Sequence, residues 1–287
     1  MQDRHGGGET TVIGSSGGAR SKPALSIVIL TWNSRALLET CLAALPAASA
    51  SLEAEVIVVN NGSADGTAGF LAERSDIVAI HNPRNRGVAP ARNQGVRAAR
   101  GEFVALLDVD TVAAPGSLTA LVAYLRAVPE VGLAGPKLTA ADGSLQYSCR
   151  RFPTLLDKLG RRLPGSWGCA LREDVELRAW DHATVREVDY VIGACQVVRR
   201  VAFEQVGLLD ERIFYGPEDV DLCLRMHRAG WGVVYVPQAV VMHLERRVTR
   251  KLFSALTARH LHGLGYYFWK HGYLITRPRV QRARRAA

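Results

Sequence analysis

The sequence predicts an α/β fold, a mostly parallel sheet with helices on both faces and a C-terminal helical extension. Three observations predict it. Short β-branched apolar runs alternate with helical patterns from Leu25 onward, and the runs end in clusters of polar turn residues. After about residue 245 the chain turns basic and amphipathic.

LSIVILT (25–31) is the first strand, stopped by TWNS. Leu37, Leu38, Cys41, Leu42 and Leu45 follow at helical spacings, and Pro46 is expected to end that helix. EVIVVN (55–60) is the second strand, with the turn cluster NGSADG behind it. IVAIH (77–81) reads as a weaker strand, 90–99 as a helix, EFVALLD (102–108) as the fourth strand, and Pro115 as the opening of another helix. In the second half, LQYSC (145–149) and VDYVIGACQVV (188–198) are strand candidates, whereas 154–186 shows no assignable pattern. GPEDVDLCLRMHRAG (216–230) contains a helix that ends at Gly230, and WGVVYVP (231–237) returns to strand. Phe253, Leu256, His260, Leu264, Tyr267, His271 and Leu274 fall near one face of a last, amphipathic helix over 249–275.

With 287 residues, 48% of them hydrophobic, the chain can bury a large core, and wholesale disorder is excluded. The net charge of +9 is unevenly placed: eleven Lys or Arg and one acidic residue lie between Glu245 and Ala287, so the body is near neutral. A uniformly basic nucleic-acid binder does not look like this, and no nucleic-acid partner is expected. The basic segment suits an anionic membrane surface or a phosphorylated acceptor. A solvated tail, or a helix packed on the domain or on a second subunit of an oligomer, fits the same residues. VVYVPQAVVMHL (233–244) is too short to span a bilayer and holds Pro237 and Gln238. The N-terminus carries no signal-peptide pattern. Cys41, Cys149, Cys169, Cys195 and Cys223 include no C-x-x-C pair and read as reduced, mostly buried thiols of a cytoplasmic protein.

Ligands of such sheets gather at the carboxyl ends of the strands, where TWN, NNGS and DVD fall. Asp108 and Asp110, with Val109 between them, are expected to point the same way from a strand end. Their hard oxygens suit Mg²⁺ or Mn²⁺ held together with substrate phosphates. His243 becomes a third ligand only if its strand lies beside that pair. Glu218, Asp219 and Asp221 leave two readings open. They are acids stabilised by a helix start, or they include a general base shaped by the Tyr215, Gly216 and Pro217 loop. TWNSRA stands where a dinucleotide-binding protein would carry G-x-G-x-x-G, which argues against a dehydrogenase. NRGVAPARNQG (85–95) offers Arg92 and backbone amides to a phosphate or a base.

SIVILTWN, VIVVNNGSADGT, NRGVAPARNQG, EFVALLDVDT, IGACQVVRRVAFEQVGLLDERIF and YGPEDVDLCLR occur in that order. Together, over about residues 24–245, they resemble glycosyltransferase family 2, of the Rossmann-like GT-A fold, and its rhamnosyltransferase-like bacterial branch. The resemblance implies an inverting transfer of a sugar, rhamnose as first choice, from a dTDP or UDP donor. The acceptor would be a saccharide or a polyprenyl-diphosphate-linked saccharide in cell-envelope polysaccharide synthesis. Galactofuranose, glucose or another hexose are alternatives to rhamnose. The resemblance places Thr31, Trp32 and Asn60 around the base, with Arg92 nearby, and Asp108, Val109 and Asp110 at the donor diphosphate. It makes Asp108, Asp110 and His243 the ligands of Mn²⁺ or Mg²⁺. Asp219 becomes the base, Glu218 its orienting neighbour, and Gly193 with Ala194 the lining of the acceptor side. Asn60 departs from the family's usual Asp; its amide oxygen can still accept the N3–H of uracil or thymine.

On this reading 1–22 is a disordered leader, 23–245 the GT-A domain, and 246–287 a basic amphipathic helix and tail that holds the cytoplasmic enzyme at the inner face of the plasma membrane. A sugar-nucleotide nucleotidyltransferase would need a Gly-rich basic loop where TWNSRA stands. A non-catalytic saccharide-binding protein would be expected to lack Asp219 or the D-x-D pair.

Overall fold

The computed structural model describes residues 11–13, 22–160, 166–244 and 255–280. The first half runs β1 (Thr11–Ile13), β2 (Leu25–Thr31), α1 (Arg35–Ala48), β3 (Ala54–Asn60), α2 (Thr67–Ala72), β4 (Ile77–His81), α3 (Val88–Ala98), β5 (Phe103–Asp108), β6 (Thr111–Ala113) and α4 (Ser117–Ala127). The second half runs β7 (Val131–Thr139), β8 (Leu145–Gln146), β9 (Cys149–Arg150), α5 (Leu155–Gly160), α6 (Ser166–Val175), β10 (Arg186–Glu187), β11 (Tyr190–Val191), β12 (Cys195–Arg199), α7 (Arg200–Val206), α8 (Glu218–Arg228), β13 (Gly232–His243) and α9 (Ala255–His271).

Among the described residues eleven strands form one mixed sheet, ordered β1-β4-β3-β2-β5-β12-β7-β13-β10, with β6 joined to β13 and β8 to β7. β4, β3, β2 and β5 are parallel, as their continuous apolar runs require of strands covered on both faces. β12 lies antiparallel between β5 and β7, and β13 is parallel to β7. The carboxyl ends of β2, β3, β5 and β13 and the start of β12 therefore meet along one edge. Side chains alternate between two cores: Ile27 and Ile29 join α1 and α4 on one face, and Val28 joins α3, α8 and α9 on the other. Gly95 lets α3 approach closely, since a Cβ there would lie 2.3 Å from Val28 Cγ1.

Two expectations change, and of the alternatives left open for the last helix the packed one holds. Pro46 does not end α1, which continues to Ala48 while Ser49 bonds the Leu45 carbonyl through both its N–H and its hydroxyl. Thr11–Ile13, placed in the disordered leader, pair antiparallel with β4; the rest of 1–21 lies outside the described residues. The last helix does not stand apart from the domain, because Leu264, Tyr267 and Phe268 are buried in the core. Residues 246–254, Phe253 among them, and 281–287 lie outside the described residues. The cysteines are all free; four are buried and Cys169 is exposed.

Candidate active site

β5 stops at Asp108, and Val109 and Asp110 form a turn, so the two carboxylates converge through that turn and not by strand alternation. Beyond the turn, β6 pairs with the end of β13, placing Thr111 opposite His243. This register brings His243 beside the acidic pair, as a third ligand requires. Asp108, Asp110 and His243 can each offer one atom within 4.8 Å of one another. His243 Nε2 stands 3.6 Å from Asp110 Oδ1, too far for a hydrogen bond. Two hard oxygens and one imidazole nitrogen fit Mn²⁺ or Mg²⁺.

Arg92, only 2% exposed, lies under this group. Its Nη2 donates to Asp108 Oδ1 at 2.5 Å and to the Gly193 carbonyl at 2.7 Å. The Gly193 N–H in turn donates to Asp219 Oδ2 at 2.9 Å. One residue thus links the metal-side carboxylate to the candidate base. A Cβ on Gly193 would stand 3.0 Å from Arg92 Nη1 and 3.5 Å from Asp219 Cβ. The smallness of Gly193 therefore serves this contact, and Ala194 is buried, with its carbonyl accepting the Asp108 N–H at 2.9 Å.

Asp219 and Glu218 share the first turn of α8 but differ in surroundings. Asp219 is half-buried, and its Oδ1 accepts only the adjacent Val220 N–H, which is not how a helix cap bonds. Pro217 occupies the cap position. Glu218 is buried, with Oε2 lacking a partner; burial first, then the neighbouring Asp219 charge, pushes its carboxyl up to about 7. Asp221 turns away and meets Lys270, His271 and Arg225.

The expected nucleotide side is reshaped. Trp32 is 51% exposed, whereas Thr31 is fully buried and Val109 packs on the core. Asn60 is buried: Oδ1 accepts the Ser63 N–H at 3.0 Å, and Nδ2 faces His81 Nδ1 at 3.3 Å. Burial lowers the pKa of His81, so its nitrogen accepts that bond. Asn60 thereby shapes the NGS turn, with one lone pair of its amide oxygen committed to the Ser63 N–H. The amides at the start of α3 are also engaged: Val88 N–H donates to Phe214 O, and Arg86 N–H to Asn61 Oδ1. Asn33 and Ser63 pin the TWN and NGS loops together through Asn33 N–H to Ser63 Oγ and Ala64 N–H to Asn33 Oδ1. Sequence reasoning missed Gln146, which touches His243 twice; it sits on a two-residue strand that carries no motif.

The family model for glycosyl transferase family 2 matches residues 26–207. The chain belongs to glycosyl transferase family 2. It is a glycosyltransferase of the GT-A fold. N-acetylglucosaminyl-diphospho-decaprenol L-rhamnosyltransferase of Mycobacterium tuberculosis is 34% identical over 256 residues, covering 82% of this chain and 81% of that protein. A pre-mycofactocin glycosyltransferase of the same species is 34% identical over 220 residues, 71% of this chain and 43% of the relative. Two solved structures share the fold. A mannosyltransferase from Pyrobaculum calidifontis in complex with GDP-Man and Mn²⁺ has a TM-score of 0.59 at 20% identity, over 90% of this chain and 66% of that one. GalNAc-T7 with UDP, GalNAc and Mn²⁺ has a TM-score of 0.62 at 17% identity, over 88% and 48%.

Proposed function

We propose that this glycosyltransferase inverts the anomeric centre as it moves a sugar, rhamnose from a dTDP donor first, onto a saccharide or polyprenyl-diphosphate-linked acceptor. The carrying observation is the link through Gly193, whose N–H holds Asp219 and whose carbonyl holds the Arg92–Asp108 pair. Similarity to the mycobacterial rhamnosyltransferase supports the choice of sugar and acceptor. Trp32 would stack on the base. Asp108, Asp110 and His243 would hold the cation, and Arg92 would keep the Asp108 carboxylate aimed. A divalent cation bound there offsets charge on the departing diphosphate.

Asp219 takes the proton of the acceptor hydroxyl. The freed oxygen bonds to the anomeric carbon from the side opposite the diphosphate, and the carbon–oxygen bond to the diphosphate breaks with its electron pair on the diphosphate. Glu218, buried behind Asp219 with Oε2 unpartnered, would orient Asp219 or meet the acceptor. The test supplies dTDP-rhamnose, Mn²⁺ and a water-soluble N-acetylglucosamine-diphosphate-lipid analogue, and reads the product by NMR. The expected product carries the anomer opposite to the donor's. A retained anomer would overturn the base assignment, and transfer only from another donor would overturn the sugar.

We further propose a peripheral position at an anionic membrane. Among the described residues no helix is long and apolar enough to cross one. Leu261, Trp269, Leu274, Ile275, Leu156 and Leu159 are all exposed, and the first three line one apolar groove along α9. The groove's helix packs against the catalytic loop, since a Cβ on Gly263 would stand 2.9 Å from the Gly216 carbonyl. Lys270 and Arg277 are already paired with Asp210, Asp221, Asp157 and Asp174, so the charge for headgroups must come from the remaining basic residues. Cutting the chain at 244 would expose the core that Tyr267 and Phe268 fill and is not a clean test. The double variant Leu261→Glu, Trp269→Glu keeps that core and should bind anionic vesicles on the order of ten-fold less, or weaker still. Unchanged flotation, or a vesicle-independent dimer lost in the variant, would contradict the membrane reading.

A further inference from the structure

We infer that Gln146 is a positioning residue for the metal ligand His243: it fixes the imidazole tautomer so that the Nε2 lone pair faces the Asp108 and Asp110 carboxylates. The inference rests on the reading of Asp108, Asp110 and His243 as a cation site. Gln146 Nε2 donates to the His243 backbone carbonyl at 2.8 Å, and Gln146 Oε1 lies 3.0 Å from His243 Nδ1. Only this orientation of the amide is physically allowed. Turned over, it would set Oε1 against a peptide oxygen, two acceptors with no proton between them.

With the amide so oriented, Oε1 can only accept, and Nδ1 must be the donor. A neutral imidazole protonated at Nδ1 leaves its lone pair on Nε2. That nitrogen stands 3.6 Å from Asp110 Oδ1, within the group of ligand atoms that would hold a cation. A hydrogen-bonded partner on the second ring nitrogen is how ligating histidines are usually oriented, and its loss typically weakens metal binding about 10–100-fold.

The fold explains why a residue 97 positions away does this. Residues 140–144 form a tight turn, with Ala140 N–H donating to Ser144 O and Gly143 at φ +79°, and the chain doubles back as β8. Leu138 of β7 is paired on one side with Gln146 and on the other with Val241. Gln146 therefore sits one strand away from the end of β13 and reaches across β7 to His243.

The test uses the full-length, metal-free protein and Mn²⁺ as the probe, titrated by EPR, with pulsed EPR reading the ¹⁴N coupling of bound imidazole. Gln146→Ala is expected to bind Mn²⁺ about 10–100-fold more weakly, with a diminished ¹⁴N coupling and a nearly unchanged Tm. Gln146→Glu keeps an acceptor for Nδ1–H but sets its second oxygen against the His243 carbonyl, so it is expected to recover most of the ¹⁴N coupling and only part of the affinity. Wild-type affinity and coupling in Gln146→Ala would overturn the inference. Equal loss in both variants with a fall in Tm would also overturn it, marking Gln146 as a brace of the hairpin. His243→Ala separates the two levels: if it binds Mn²⁺ as tightly as wild type, the cation-site reading itself fails.

Discussion

Asp219→Asn is expected to lower turnover by about 10²–10⁴-fold while donor affinity changes little. The substitution keeps the shape of the side chain and one oxygen for the Gly193 or Val220 N–H, which are the bonds that orient it. It removes the ability to take up a proton. Donor contacts assigned to Trp32, Asp108, Asp110 and His243 are untouched, so calorimetric binding of the nucleotide sugar with Mn²⁺ should match wild type. Near-wild-type kcat would remove Asp219 as the base. Glu218→Gln is the internal comparison. Because burial already holds Glu218 partly protonated near neutrality, its amide resembles the form present, and the loss of turnover should be smaller.

Asp221→Asn should destabilise the protein by about 3–5 kcal/mol at pH 7, because it removes the buried carboxylate that the half-buried Lys270 and Arg225 share. The Asp221 side chain is fully buried and meets Lys270 at 2.6 Å, His271 at 2.8 Å and Arg225 at 2.8 Å, tying α8 to α9. Lys270 keeps Asp210 at 2.7 Å, which places the expected loss toward the lower end. Although burial opposes its charge, bonds from His271, Arg225 and Lys270 hold the Asp221 carboxyl well below the ordinary aspartate value of 3.8. A depressed native pKa stabilises the fold above the unfolded value, and that stability is lost as pH falls toward the native one. The difference between wild type and variant should therefore shrink as pH falls below about 4. Urea denaturation at pH 7 and pH 3 measures this. A loss under about 1 kcal/mol, or one independent of pH, would contradict the account.

The parallel half of the sheet was legible because β2, β3 and β5 carry unbroken apolar runs, which suit a strand covered on both faces. The second half was not, because β8 to β11 have two residues each and carry no period. The insertion of β12 between β5 and β7 is decided by tertiary pairing, which leaves no local mark. At the site, the placement of Asp108 and Asp110 at one sheet edge followed from a strand end, whereas Asp219 was set beside them by the family resemblance alone. What those residues touch did not follow. Asn60, Arg92 and Gly193 were placed near the right loops, but only the folded chain shows Asn60 holding a turn, Arg92 holding Asp108, and Gly193 joining two acids. Asp221 belonged to the same acidic run as Asp219. Two residues along a helix put it on a different face, toward α9.

The most direct test of the central claim is the release of nucleoside diphosphate from a panel of dTDP- and UDP-sugars, with acceptor analogue present, in Mn²⁺ and again after EDTA. The account predicts release from at least one donor, abolished by EDTA and restored by excess Mn²⁺. Release that survives EDTA, or no release from any donor in the panel, would contradict a metal-dependent sugar transfer at Asp108, Asp110 and His243.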